Sequence, residues 1–205
     1  MKKRWFPFIV TVVFALNTLI ILASRREQVL QTTMVQVPVK DLVDGDLVMR
    51  NGRGMISNWF RKMSLKDRSY THAGLVEIVN GKPFVVHCRQ EGQSVGIIRE
   101  SLKEYISSNN CSSFGVYRFA LNENSRMSIH TVLDSDVLNG IKFDDEFRLN
   151  NGKQEYCTEY VYNRIQLVSG EQNFLPLSHS GDFVYVAPDN LYLNKNTRQL
   201  VQHHY

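Results

Sequence analysis

Three side chains in this sequence could together perform acyl chemistry: the thiol of Cys157 and the imidazoles of His72 and His87. A cysteine attacks a carbonyl carbon when an adjacent imidazole takes its proton and a second polar group fixes the tautomer of that imidazole. Cys157 heads an apolar stripe continued by Val161, Ile165 and Val168, at offsets of 4, 8 and 11. This spacing predicts a helix with the thiol in its first turn. There the unpaired backbone N–H groups and the positive end of the helix dipole favour a thiolate, so a pKa below the free value of about 8.5 is expected.

The two histidines flank Asn80-Gly81, a strong two-residue hairpin signal. If that pair forms the whole turn, Val79 faces Lys82 and His87 lies opposite Gly74. His72 and His87 then stand on one face as diagonal neighbours, with Cβ atoms on the order of 7 Å apart across a residue without a side chain. A four-residue loop ending at Pro83 would keep them on one face but farther apart, and a three- or five-residue loop would separate them. In any regular strand Cys88 points away from His87.

Taken singly, a cysteine in an apolar stripe is usually an inert core residue, and a strand histidine is usually structural. The combination is what points to chemistry. The same three residues could instead hold a zinc ion with an open fourth position, and the domain could also be an inactive binding module. His130 and His179 have no comparable context. Cys111 could pair with Cys88 or stay free, and three cysteines leave at least one unpaired. No two cysteines have CxxC spacing, and phosphate-loop, HExxH and SxxK patterns are absent. Asp134 and Asp136 imitate a calcium loop, but Leu138 fills the next ligand position. No cofactor is expected.

The elements that position these residues belong to a chain of 205 residues with 43% hydrophobic content and a net charge of +4. That length suits one domain with appendages. Five of the 24 Lys and Arg, with no Asp or Glu, lie in residues 1–26, so 19 basic residues face 20 acidic ones elsewhere. A near-neutral body gives no support to a nucleic-acid partner. Trp5 to Ala23 are uncharged and, as a helix, would span roughly 28 Å, close to the bilayer hydrocarbon thickness. Lys2, Lys3 and Arg4 on the leading side place the N-terminus in the cytoplasm and the body outside it. Ile21 does not suit the small-residue position of a signal-peptide cleavage site before Ala23, so a retained anchor is expected in preference to a cleaved leader.

The expected organisation is a membrane anchor over 1–26, a spacer over 27–37, a domain over 38–189 and a polar tail over 190–205 with little order. Within the domain the sequence predicts a turn at Asp44-Gly45-Asp46, a strand at Leu47 to Met49, and a short helix over Met55 to Ser64. The hairpin follows, then a strand at Gly115 to Phe119 and a helix over Arg126 to Leu138. That helix should bury Met127, Ile129, Leu133, Val137 and Leu138. The Cys157 helix, over Tyr156 to Leu167, and a closing strand at Phe183 to Val186 complete the pattern.

From Val43 to Asp189 the chain resembles the circularly permuted papain-like hydrolases of the NlpC-type superfamily. It is most similar to YiiX-like proteins and more distantly to the lecithin:retinol acyltransferase-like enzymes. The resemblance rests on Asp44-Gly45-Asp46-Leu47-Val48, on Tyr70-Thr71-His72-Ala73-Gly74-Leu75-Val76, on Gly140-Ile141-Lys142-Phe143-Asp144, and on Glu155-Tyr156-Cys157-Thr158-Glu159-Tyr160-Val161-Tyr162. It implies an α+β fold in which an antiparallel sheet or small barrel packs against helices, with the histidine strand preceding the cysteine helix. It also implies Cys157 as nucleophile and His72 as base. His87 occupies the place of the orienting polar residue, commonly a glutamate in YiiX-like proteins and a histidine in the acyltransferase-like branch. The implied substrate is an amide of cell-wall peptide type, or alternatively a lipid ester or amide.

Overall fold

Asn80 and Gly81 both adopt positive φ, 50° and 72°. This is the backbone of a primed turn, whose twist matches that of the strands it joins. In the computed structural model, which describes residues 39–53, 60–91, 94–149 and 154–205, this turn links β2 (His72–Val79) to β3 (Lys82–Glu91). Val79 pairs with Lys82 and Leu75 with Val86, the register of the two-residue loop. Pro83 is accommodated opposite Ile78. The next strand begins its pairing at Phe84, so the N–H that proline lacks is not needed for that ladder.

The main sheet adds β1 (Leu47–Gly52), β4 (Ser94–Ser101), β5 (Cys111–Phe119) and β10 (Thr197–His204). Its order is β10-β5-β1-β2-β3-β4, antiparallel throughout. Two short pairs lie apart from it. β6 (Lys142–Phe143) runs parallel to β7 (Gln154–Glu155), and β8 (Ser178–Ser180) antiparallel to β9 (Phe183–Tyr185). The helices are α1 (Leu102–Tyr105), α2 (Glu123–Asn139), α3 (Cys157–Ser169) and α4 (Pro188–Tyr192). Residues 60–63 form one further helical turn.

Strand alternation sorts the sheet residues. Leu47, Met49, Ala73, Leu75, Val86 and Cys88 enter the main core, together with Val161 and Ile165 of α3 and Ile129 and Leu133 of α2. Arg164 fastens the two helices, donating to Asp136 of α2 at 2.5 Å and to Glu155 at 3.0 Å. The buried face of α2 is narrower than expected. Met127 and Leu138 are 63% and 80% exposed, while Ser125, Ile129 and Leu133 are buried and Val137 is partly so. At 100° per residue, Met127 lies about 200° from Ile129 and cannot share its face.

The segment from 190, whose polarity suggested little order, carries part of α4 and then β10. β10 pairs with β5 from Thr197–Phe119 to His204–Ser113. Main-chain hydrogen bonds do not require apolar side chains, and a polar sequence suits the solvent-facing edge of a sheet. Pro38–Tyr205 forms one compact unit. Among the described residues no helix is long and apolar enough to cross a membrane. The proposed anchor over 1–26 and spacer over 27–37 lie outside the described residues.

Candidate active site

His72 opens β2 and His87 lies in β3, on the face opposite the main core. A Cβ built on Gly74 would lie 3.0 Å from His87 Cβ and 2.4 Å from Val85 Cγ1, so the absence of a side chain there lets the two rings approach. His72 Nε2 and His87 Nδ1 are 2.8 Å apart, with ring centroids 5.0 Å apart and planes at 89°. His87 Nε2 continues to Glu100 Oε2 at 3.1 Å. The β3–β4 register pairs His87 with Ile98 and Val85 with Glu100, which makes His87 and Glu100 diagonal neighbours on one face.

The protonation of this chain follows from its end. His87 helps hold the Glu100 carboxyl below its usual range against the effect of burial, so Glu100 is an ionised acceptor and His87 Nε2 carries the proton. Burial, with Arg50 and Arg89 nearby, lowers His87 to about 4 despite Glu100. The ring is therefore neutral, and its Nδ1 accepts. His72 Nε2 must then donate, which leaves the lone pair on His72 Nδ1. Burial foremost, then the charges of Arg50, His87 and Arg89, holds His72 well below the ordinary imidazole range.

Tyr105 and Arg50 roof the pair. The Tyr105 ring lies 4.9 Å from His87 and 5.9 Å from His72, and its hydroxyl donates to the Val48 carbonyl at 3.3 Å. Arg50, cross-strand from His72, sits 4.2 Å over the Tyr105 ring and donates to the Tyr105 carbonyl at 3.0 Å. Its Nη1 is 3.9 Å from Glu100 Oε2.

Cys157 is the first residue of α3 and is fully buried. Tyr156, its N-cap residue, makes no side-chain capping bond; its hydroxyl instead accepts from Val186 N at 2.9 Å. The first-turn N–H groups are thus not claimed by a cap. The last pair of the β2–β3 ladder is Leu75–Val86, and the N–H of Ala73, beyond it, lies beside the Cys157 sulfur together with those of Thr158 and Cys157 itself. Cys157 is accordingly next to the peptide that follows His72. These N–H groups favour the thiolate, but burial outweighs them and pushes the thiol up to about 12. The expectation of a lowered pKa is therefore corrected: an enclosed helix N-terminus supplies dipoles, and the loss of water costs the charged form more.

The remaining singled-out residues are placed elsewhere. All three cysteines are free; Cys88 Sγ donates to the Glu155 carbonyl at 2.9 Å and Cys111 Sγ to that of Ser107 at 3.5 Å. His130 pairs with Asp44 at 3.2 Å, and His179 is exposed on β8. Asp134 takes Arg99 at 2.7 Å and Asp136 takes Arg164, so both serve structure. Gly92-Gln93-Ser94-Val95-Gly96 spells the GxSxG pattern. Ser94, however, pairs with Glu91 across a hairpin, not at the strand-to-helix turn a nucleophile elbow needs. Sequence reasoning did not select Glu100, Arg50 or Tyr105. A second two-residue spacing at Gly92-Gln93 was the available signal for Glu100, because the same pairing arithmetic places it beside His87.

Both imidazoles are held neutral, which has a stability consequence. The unfolded chain takes up protons below about pH 6.5 and the native site resists them, so the unfolded state binds more protons and stability decreases as the pH is lowered. Urea unfolding should show this loss between about pH 6.5 and 4, at about 1.4 kcal/mol per pH unit for each histidine. His87→Gln should make the slope shallower. An equal slope in the variant would assign the acid sensitivity to other groups.

These features define a mixed α+β fold with an antiparallel sheet that bears a hydrogen-bonded imidazole pair and packs against a cysteine-headed helix. No family model and no curated protein matches the chain. Among solved structures it is similar to the metalloprotein yiiX from Escherichia coli O157:H7, with a TM-score of 0.65 over 80% of this chain and 98% of that one. Sequence identity is 15%, so the similarity shows a yiiX-like fold.

Proposed function

We propose that the chain is a cysteine hydrolase of the permuted papain-like, NlpC-type kind, exported and anchored by its N-terminal segment, that cleaves an amide of cell-wall peptide type. The carrying observation is the chain Glu100–His87–His72, which leaves an unprotonated Nδ1 on the residue whose following peptide N–H lies beside the Cys157 sulfur. In the resting site thiol and imidazole are both neutral. As Sγ bonds to the substrate carbonyl carbon, the thiol proton passes to His72 Nδ1, and the imidazolium is stabilised through His87 by Glu100. In this reading the first-turn N–H groups of α3, left without a side-chain cap, receive the developing oxyanion. Collapse breaks the C–N bond, His72 returns the proton to the leaving amine, and water then hydrolyses the thioester by the same base.

The similar structure is named a metalloprotein. Zinc ligands bind through lone pairs at about 2.0–2.3 Å, and here the facing nitrogens of His72 and His87 are joined to each other. Among the described residues no group of three or more His, Cys, Asp or Glu is placed to hold a metal ion. The residues do not fit a zinc centre in this arrangement.

The proposal is tested by incubating the full chain, in nonionic detergent, with soluble cell-wall peptide fragments and with a short-chain phospholipid. The expected result is a new amine from the peptides, absent with Cys157→Ala. Fatty acid release without new amine would move the substrate to lipid esters, the reading favoured by the second histidine. Release of neither by folded protein would count against hydrolysis.

A further inference from the structure

Basic side chains converge at the end of the sheet away from the imidazoles. Arg50, cross-strand from His72, pairs with Phe114 of β5, and Arg118 is four residues farther along that strand, about 13 Å at strand rise. There a cavity of about 300 Å³ is lined by Arg118, Phe119, Leu121, Arg126, Lys195 and Arg198, among others.

The fixed counter-charge is small. Asp46, fully buried, accepts from Arg118 Nε at 2.8 Å and Nη2 at 2.7 Å, and Arg126 Nη1 lies 3.8 Å from it. One carboxylate is thus shared by two guanidiniums, with Asp41 acting on Arg118 from farther off. Arg126 is further held by the carbonyls of Phe119 and Asp44. Arg198 stands directly opposite Arg118 in the β10–β5 ladder, a position where like charges destabilise a strand pair. Burial foremost, and then the Arg118 and Arg198 charges, holds Arg126 below the ordinary arginine range despite Asp46.

We propose that this cavity binds a phosphate group, with Lys195 and Arg198 as its main ligands, Arg126 contributing from the wall and Arg118 retained by Asp46. Guanidinium forks match phosphate oxygens, and clustered cations around a concave site raise local anion concentration. The volume exceeds that of a bare ion, and the half-buried Leu121 offers apolar surface to an organic substituent. The phosphate could be free or belong to an anionic lipid headgroup.

The test uses the full chain in nonionic detergent and reads thermal unfolding against inorganic phosphate, with sodium chloride at matched ionic strength as control. Wild type should gain a saturable rise in Tm, and Lys195→Glu/Arg198→Glu should need at least tenfold more phosphate. Without phosphate, Arg198→Glu should unfold about 1–4 °C higher than wild type, because it turns a like-charge pair into an opposite one. Should the double variant fail to fold, Lys195→Gln/Arg198→Gln carries the same comparison. Stronger saturation by short-chain phosphatidylglycerol, below its micelle concentration, than by inorganic phosphate assigns a headgroup; the reverse assigns a free phosphate. Absence of a saturable effect above chloride, or a wild-type response in the variants, overturns the proposal. The readout does not involve hydrolysis, so it stands or falls apart from the Cys157 chemistry.

Discussion

Cys157→Ala is expected to abolish labelling by an acylating, substrate-like thiol probe and to lower any turnover by about 10⁴-fold or more, the order associated with removing a nucleophile. The other two thiols cannot substitute. Cys88 and Cys111 are buried, and their thiols donate to the carbonyls of Glu155 and Ser107. Cys157 is itself pushed up to about 12, so a simple alkylating reagent, which needs preformed thiolate, should react slowly at neutral pH. A probe with an electrophilic carbonyl should react faster, since proton transfer to His72 accompanies attack. Intact-protein mass spectrometry reads both rates. Labelling at Cys88 or Cys111 in preference to Cys157 would remove the nucleophile assignment. The alanine variant should unfold near the wild-type temperature, because only the sulfur is lost.

His87→Ala should cost about 10³-fold in kcat/KM, and His87→Gln should recover at least tenfold of that. The argument is one of tautomers. His72 Nε2 donates to His87 Nδ1 at 2.8 Å, so the nitrogen of His72 left free for the proposed base role is set by an acceptor and not by a second imidazole as such. Alanine removes the acceptor and leaves His72 free to rotate or to protonate the other nitrogen. A glutamine carbonyl can accept the same proton, although without passing charge to Glu100. Removing His87 also removes a repulsive neighbour of His72, so the acidic limb of the pH–rate profile should move up in the alanine variant. If glutamine and alanine prove equally poor with unchanged pH profiles, His87 acts only through packing against Tyr105.

Several features of this site were legible locally. The two-residue turn at Asn80-Gly81 is encoded in residue types that tolerate positive φ, and strand alternation then carried the register as far as Leu75–Val86, toward Gly74 and His87. The offsets from Cys157 to Val161 and Ile165 likewise mark one face of a helix within a dozen residues. Where the local signal is diffuse, tertiary context overrides it. The apolar character of Met127 and Leu138 suggested burial, yet the helix turns them to solvent, and the polar chain beyond 190 concealed an edge strand because pairing there rests on backbone groups.

By itself, then, the sequence determined what depends on near neighbours: the hairpin, its imidazole-bearing face and a cysteine at a helix start. The tertiary structure alone decided who stands beside them. Glu100, Arg50 and Tyr105 reach the imidazoles from separate strands and a helix, and Arg198 meets Arg118 across 80 residues of chain. It also decided the sign of the Cys157 shift. Helix-end dipoles can be anticipated from position in a sequence, but desolvation is the sum of everything packed around an atom, and it is set only when distant segments close over it.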